Sequence, residues 1–315
     1  MIEARNLTKR YGSTLAVDDL SFRVAAGQVT GFLGPNGSGK STTMRMILGL
    51  DSPSAGQITV DGQRYGELRF PLHRVGALLD ANAVHPGRTA RNHLRWLADS
   101  NAIDRDRVDV VLAAVGLTEV AGRRAGEFSL GMEQRLGIAA ALLGDPEILI
   151  FDEPINGLDP EGILWVRHLL RSLADEGRTI LVSSHLMAEM ALTADHLIII
   201  GRGRLLATGS VADFIEQSSG HHVHVSTPDV SELTELLEAK GATVAPDLAD
   251  RRDGADGLSV TGLECRDVGI LAAGAGLTLY ELSTRRASLE EAFMELTRDH
   301  AEYRAPTSAL EPSAA

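Results

Sequence analysis

The chain has 315 residues, 44% of them hydrophobic, and a formal net charge of −13 at neutral pH. That length accommodates one large domain plus a smaller one, and the hydrophobic share is ordinary for a globular protein. The acidic balance argues against nucleic acid as a partner, because a phosphate backbone demands a basic footprint, and the single cysteine, Cys265, excludes an internal disulfide and suits a reducing compartment. The longest apolar runs, such as Ile148–Phe151 and Leu197–Ile200, are strand-sized, far short of the roughly 20 residues of a membrane-spanning helix. Met1-Ile2-Glu3-Ala4-Arg5 runs straight into polar sequence, so no targeting segment is expected. The expected location is the cytoplasm, and any membrane role must come through a partner.

In chain order, the first predicted core strand is Val29-Thr30-Gly31-Phe32-Leu33. It runs into Gly34-Pro35-Asn36-Gly37-Ser38-Gly39-Lys40-Ser41, a full G-x-x-x-x-G-K-[ST] phosphate loop. Glycines remove Cβ atoms, so backbone N–H groups can turn inward around a polyphosphate. The stretch from Thr42 to Leu50 reads as a helix, whose N-terminus points its positive dipole end at the phosphates. Lys40 can reach the β- and γ-phosphates, and the Ser41 hydroxyl can hold Mg²⁺. Lys9, Lys40 and Lys240 are the only lysines in a chain that otherwise uses arginine. Lysine is kept at position 40, where a compact ammonium fits between phosphate oxygens and a planar guanidinium does not.

From about residue 80 to residue 144 the pattern turns helical, with Thr89–Ser100, Asp106–Val115 and Leu130–Leu143 as predicted helices inserted before the next core strand. That strand, Ile148-Leu149-Ile150-Phe151, ends in Asp152-Glu153. A continuous apolar run marks a strand buried on both faces, and its C-terminal end opens on the ligand crevice of an α/β sheet. Asp152 is expected to hold Mg²⁺, directly or through water, and Glu153 to orient or deprotonate the attacking water. Further strands at Thr179–Ser183 and Leu197–Ile200 complete, over the first ~210 residues, a parallel sheet wrapped by helices.

A second unit is predicted from about residue 221 to residue 297. It contains a strand at Val223–Ser226, a helix at Val230–Ala239, strands at Thr243–Ala245 and Leu258–Val260 around a polar turn at Arg251–Gly257, a helix at Asp267–Ala273 and a strand at Leu277–Leu282. The β-α-β-β-α-β order suggests a small ferredoxin-like domain. His221, His222 and His224 read as the polar start of a strand rather than a metal cluster, with no carboxylate or thiol at ligand spacing. Ser288-x-x-Glu291 is a capping box opening a final helix with Leu289, Ala292, Phe293 and Leu296 on one side. The tail from residue 301 is Pro-, Ser- and Ala-rich and is expected to be disordered.

With these motifs in this order, the chain resembles the ATP-binding subunits of ABC transporters over residues 1 to about 212. The resemblance implies a phosphate-loop ATPase domain at 1–212, with a helical subdomain at about 80–144, and an accessory or regulatory α+β domain at 213–300. It also implies roles for specific residues. Residues 34–41 and Thr42 would bind ATP, with Mg²⁺ at Ser41 and Asp152. Tyr11, in Leu7-Thr8-Lys9-Arg10-Tyr11-Gly12, matches the aromatic that stacks on adenine. Phe128-Ser129-Leu130-Gly131-Met132 stands where the family has L-S-G-G-Q: Ser129 and Gly131 are kept, while the first glycine is Leu130 and the glutamine is Met132. Ser129 and Gly131 would reach the γ-phosphate of ATP held by another subunit. Asp159, in Gly157-Leu158-Asp159-Pro160, matches the D-loop, and His185, in Ser183-Ser184-His185, matches the switch histidine. Asp80 aligns with the Q-loop glutamine. It is shorter, ionised and acceptor-only, and is expected to be a metal-linked sensor with altered turnover or coupling.

One phosphate loop and one signature in the chain imply a homodimer closing on two ATP molecules. Glu153 would be the base, with Lys40 and His185 stabilising charge. The segment Ser288–Thr297 resembles the C-terminal extension of drug- and antibiotic-export ATPases of the daunorubicin-resistance kind, whose partners are separate ABC-2 type membrane permeases. The implied function is ATP-driven efflux of a drug-like compound from the cytoplasmic face of the cell membrane. The alternative is an ABC ATPase acting on a non-transport macromolecular partner. Ribosome-acting members usually carry two cassettes and chromosome-structuring members long coiled coils, and this chain has neither. A phosphate-loop kinase would lack the signature, D-loop and His185 set.

Overall fold

A computed structural model of the chain describes residues 1–217, 222–252, 255–285 and 289–297. The chain divides into two compact units, the first built mainly on Met1–Val211 and the second on Ala212–Glu295.

The first unit has two sheets. Strands β1 (Ile2–Tyr11), β2 (Thr14–Val24) and, after β3 (Gln28–Leu33) and helix α1 (Lys40–Ile47), β4 (Ala55–Val60) form an antiparallel sheet in the order β2-β1-β4. Strands β5 (Val75–Leu78), β6 (Ile148–Asp152), β7 (Thr179–Ser183), β8 (His196–Gly201) and β9 (Arg204–Ser210) join β3 in a second sheet of order β5-β6-β7-β3-β8-β9, parallel except for β9. Three helices, α2 (Ala90–Ser100), α3 (Asp106–Ala114) and α4 (Leu130–Leu142), lie between β5 and β6 in the chain. Helix α5 (Pro160–Asp175) links β6 to β7, and α6 (Met187–Thr193) links β7 to β8.

The runs Ile148–Phe151 and Leu197–Ile200 are buried throughout, as strands covered on both faces must be. Ile2, Leu7, Leu20 and Phe22 of the antiparallel sheet, Met44, Met46 and Ile47 of α1, and Phe32, Ile150, Leu181 and Ile198 of the parallel sheet share one core. Burying each such side chain contributes about 1.5–3 kcal/mol, so α1 is clamped between the sheets by its own apolar residues.

The antiparallel sheet is an addition to the expected fold. Its alternation is broken by register shifts between Ala4 and Leu7, where Asn6 takes a positive φ of 47° and its side chain bonds Asp19, itself at φ 51°. A bulge shifts the phase of inward-facing residues, which hides a strand from a period-two reading.

In the second unit, α7 (Val211–Gln217) is followed by β10 (His222–Thr227), α8 (Val230–Glu238), β11 (Thr243–Arg252), β12 (Ala255–Thr261), α9 (Cys265–Ala275), β13 (Glu281–Arg285) and α10 (Leu289–Thr297). The four strands form an antiparallel sheet of order β11-β12-β10-β13, which with α8 and α9 is the ferredoxin-like arrangement. Its core joins Val223, Val225, Leu233, Leu237, Leu258, Val260 and Val268.

Two expectations here are corrected. Arg251–Gly257 is mostly strand, because the β11–β12 ladder pairs Arg252 with Ala255 regardless of side-chain polarity. The last strand is Glu281–Arg285 rather than 277–282, because Leu277 N–H bonds back to the Ala272 carbonyl and Thr278 N–H bonds the Asp229 side chain. Leu289, Ala292 and Phe293 are buried on α10, while Leu296 is exposed. His222 and His224 lie on β10; His221, the Ser288 cap and the tail from 301 lie outside the described residues. Among the described residues, no helix is long and apolar enough to cross a membrane.

Candidate functional site

The phosphate loop spans the gap from β3 to α1. Gly39 caps the helix with φ 100°, and a Cβ there would sit 2.6 Å from the Ala16 carbonyl oxygen, so only glycine lets the loop pass this close to β2. Gly203 N–H bonds the Ser38 carbonyl at 2.9 Å and braces the loop from behind. Lys40 Nζ donates to the carbonyls of Gly34 (2.6 Å) and Pro35 (3.1 Å). Burial pulls the Lys40 ammonium below the ordinary lysine range, and the carboxylates of Glu153 and Asp152 partly oppose that shift.

An open cleft of about 340 Å³ runs over the loop, walled by Ala16, Lys40, Ser41, Thr42, Leu79, Asp152 and Glu153 among others. At its floor, the end of β6 meets the start of α1: Ser41 Oγ donates to Asp152 Oδ2 at 2.7 Å. Ser183, wholly buried at the end of β7, donates to the other Asp152 oxygen and accepts the Glu153 N–H at 3.0 Å. Glu153 has a left-handed backbone, φ 52°, a conformation that costs a side-chain-bearing residue about 1–2 kcal/mol. Three partners hold it there. The first is Ser183, the second is Gln134 of α4, whose Nε2 donates to the Glu153 carbonyl at 3.4 Å, and the third is His185, whose Nδ1 lies 2.9 Å from Glu153 Oε2. The site thus forms a continuous polar chain, Ser41–Asp152–Ser183–Glu153–His185.

These residues fit Mg²⁺ and a nucleotide. A serine hydroxyl and a carboxylate oxygen 2.7 Å apart are the hard oxygen donors that Mg²⁺ selects, and the loop's N–H groups and Lys40 suit phosphate oxygens.

The remaining predicted residues lie around this centre. Asp80 follows β5, whose Leu78 pairs with Phe151 of β6; its side chain is exposed, and Leu79 rather than Asp80 walls the cleft. Tyr11 ends β1, and its hydroxyl donates to Asp51 at 3.0 Å. Ser129 is the N-cap of α4, accepting the Met132 N–H, and Asp159 is the N-cap of α5, accepting the Gly162 N–H at 2.8 Å. Ser129, Gly131 and Asp159 are not among the residues walling this chain's own cleft. The D-loop packs on the signature helix: Gly157, at φ 73°, leaves room for the Leu130 side chain, which a Cβ at 157 would meet at 2.1 Å. Sequence reasoning missed Ser183 and Gln134, whose contacts arise only from strand and helix neighbourhood.

The sequence profile described as "ABC transporter" matches residues 17–156, and one described as "Domain of unknown function (DUF8746)" matches residues 221–290. The chain is 41% identical over 241 residues to the bacitracin transport ATP-binding protein BcrA of Bacillus licheniformis, spanning 76% of this chain and 78% of that protein. It is 39% identical over 246 residues to the Nod factor export ATP-binding protein I of Burkholderia orbicola (strain AU 1054), spanning 76% and 80%. Its fold matches the dimeric structure of MJ0796, a bacterial ABC transporter cassette, with a TM-score of 0.63 and 25% identity, covering 67% of this chain and 99% of that one. The sheet order, the phosphate loop and these likenesses agree: the chain belongs to the ABC-transporter ATP-binding family, as an ATP-binding and ATP-hydrolysing subunit.

Proposed function

We propose that two copies of this chain clamp two ATP molecules and drive efflux of a drug- or antibiotic-like compound through a separate ABC-2 type permease at the cytoplasmic face of the cell membrane. The observation that carries the catalytic part is the Ser41–Asp152–Ser183–Glu153–His185 chain, of which Ser41, Asp152 and Glu153 wall the cleft. The phosphate loop and Thr42 bind the triphosphate, and Tyr11 stacks on adenine. Ser41 and Asp152 would hold Mg²⁺, which when bound would screen the charge on the phosphates, and Asp80, beside Leu79 of the cleft wall, would act as a sensor linked to that metal. Glu153 takes a proton from the attacking water, and its left-handed backbone fixes where that carboxylate points. Lys40 and His185 donate to oxygens that gain charge as the γ-phosphate departs.

The dimer is supported by the likeness to a dimeric cassette and by the distribution of residues on one chain. Ser129 and Gly131 stand apart from their own cleft, which suits a role on the partner's ATP, with Asp159 crossing the interface. Efflux is supported by likeness to proteins described as serving bacitracin transport and Nod factor export. No described helix is long and apolar enough to span a bilayer, which suits a substrate path in a separate permease.

The test is Glu153→Gln. The variant should bind ATP, accumulate as a dimer by light scattering with ATP and Mg²⁺, and hydrolyse poorly. Wild-type turnover would remove Glu153 as the base, and a monomer at saturating ATP would remove the clamp. Co-purification from membranes with a multi-spanning protein tests the transport assignment. Association with ribosomes or another macromolecule instead would favour the non-transport alternative.

A further inference from the structure

The loop after α1, residues 51–54, is stitched to the end of β1. Tyr11 Oη donates to Asp51 Oδ2 at 3.0 Å, and the same oxygen accepts Arg45 Nε of the last turn of α1 at 2.7 Å. Thr42, one turn earlier on α1, is part of the cleft wall. Lys9 Nζ lies 4.7 Å from the Tyr11 ring centroid and donates to the Ser52 carbonyl at 2.7 Å. Ser54 N–H bonds the Thr8 carbonyl at 2.7 Å, and Arg10 N–H bonds Ser54 Oγ at 3.0 Å.

This cluster buries little. Tyr11 is 45% exposed, and the Arg45 side chain 49%, so it contributes scarcely any core packing. What it does fix is one exposed aromatic ring. A tyrosine with that much freedom samples several rotamers unless its hydroxyl is held, and immobilising it only on binding weakens the ligand. Here the hydroxyl is tied to α1, the helix whose N-terminus frames the phosphates. Lys9, one of the chain's three lysines, lies over one ring face by cation–π contact.

We infer that Asp51 is the positioning residue of the nucleobase subsite: through its shared oxygen it locks the Tyr11 ring to Arg45 of the phosphate-loop helix, so that base and triphosphate are read by one rigid unit. The inference rests on the reading of Tyr11 as the residue that stacks on adenine. Arg45 holds the Asp51 carboxyl below the usual carboxylate range, so it accepts at every physiological pH.

The test uses the full chain and compares Asp51→Ala, Tyr11→Phe, their combination and Tyr11→Ala by calorimetric titration with MgATP and with magnesium tripolyphosphate, which lacks a base. Asp51→Ala and Tyr11→Phe should each weaken MgATP binding about three- to tenfold, the size of one ordinary lost hydrogen bond. Tripolyphosphate affinity should stay unchanged. The double variant should be no worse than either single one, because both remove the same contact. In steady-state hydrolysis Asp51→Ala should raise KM while kcat at saturating ATP holds. If Tyr11→Ala leaves MgATP affinity unchanged, the stacking role itself is wrong. If Tyr11→Ala weakens it but Asp51→Ala does not, or if Asp51→Ala weakens tripolyphosphate equally, the stacking role stands and the Asp51 inference falls.

Discussion

Replacing Ser183 by alanine tests whether Glu153, the proposed base, depends on its left-handed backbone conformation. The Ser183 hydroxyl is wholly buried, donates to the Asp152 carboxylate and accepts the Glu153 N–H. Its loss removes a hydrogen bond to a charged group, a contribution of about 1.5–3 kcal/mol, and strips the Glu153 N–H of its partner, at a similar cost. These are opposed to a left-handed strain at Glu153 of about 1–2 kcal/mol, which the fold now overrides. With the anchor gone, the strained geometry ceases to be favoured and the competent state becomes a minority. A shift of about 2 kcal/mol is roughly a thirtyfold fall in kcat. KM for ATP should change little, because the phosphate loop and Tyr11 are untouched. The assay is phosphate release at saturating MgATP, alongside a melting curve to show that the chain stays folded. Ser183→Thr, which keeps the hydroxyl, should recover most of the rate. Wild-type kcat in a folded Ser183→Ala protein would show that Glu153 is held by something other than this hydroxyl, and the reasoning would fail.

Gly157→Ala should lower the melting temperature, since it adds about 1–2 kcal/mol of left-handed strain and drives a Cβ into Leu130. Combining it with Leu130→Gly removes the collision and should recover part of the loss; no recovery would deny the contact a role. Lys40 sits below its ordinary 10.5 because it is buried, so the free protein loses that ammonium earlier than an exposed lysine would as pH rises. Phosphates favour the charged form, so MgATP should bind with proton uptake over the alkaline range below 10.5 and more weakly as pH climbs; calorimetry in buffers of different ionisation heat reads this directly. Over the same range the unfolded chain holds the proton more tightly, so this group's contribution to the stability of the free protein rises with pH. Asp80→Gln should raise the Mg²⁺ concentration needed for half-maximal hydrolysis, and an unchanged Mg²⁺ curve with unchanged rate would place Asp80 outside the site.

What could be read in advance follows from how each feature is encoded. The strands β6, β7 and β8 are legible because burial on both faces demands an unbroken apolar run, and few other elements of four to six residues look like that. The strand–loop–helix at β3, residues 34–41 and α1 is legible because the G-x-x-x-x-G-K-[ST] pattern fixes residue type and spacing within one short stretch. The strand β13 is hard to place from sequence because Ser283, Thr284 and Arg285 carry no apolar alternation. Ser183 and Asp51 belong to a different kind of information. Ser183 meets Asp152 because β6 and β7 are neighbours and these two residues are paired in their register, 31 positions apart in the chain. Asp51 meets Tyr11 across 40 positions because β1 ends beside the C-terminal end of α1.

The same logic explains the irregular signature. Read alone, Leu130 is an intrusion where a glycine stands in the family. In the fold its side chain occupies the space above Gly157, which has no Cβ to contest it. A bulky residue at 130 and a bare backbone at 157 are therefore one packing solution shared by α4 and the loop before α5. Neither can be judged as a loss of function without the other, and that is why the combined Leu130→Gly and Gly157→Ala variant is more informative than either substitution alone.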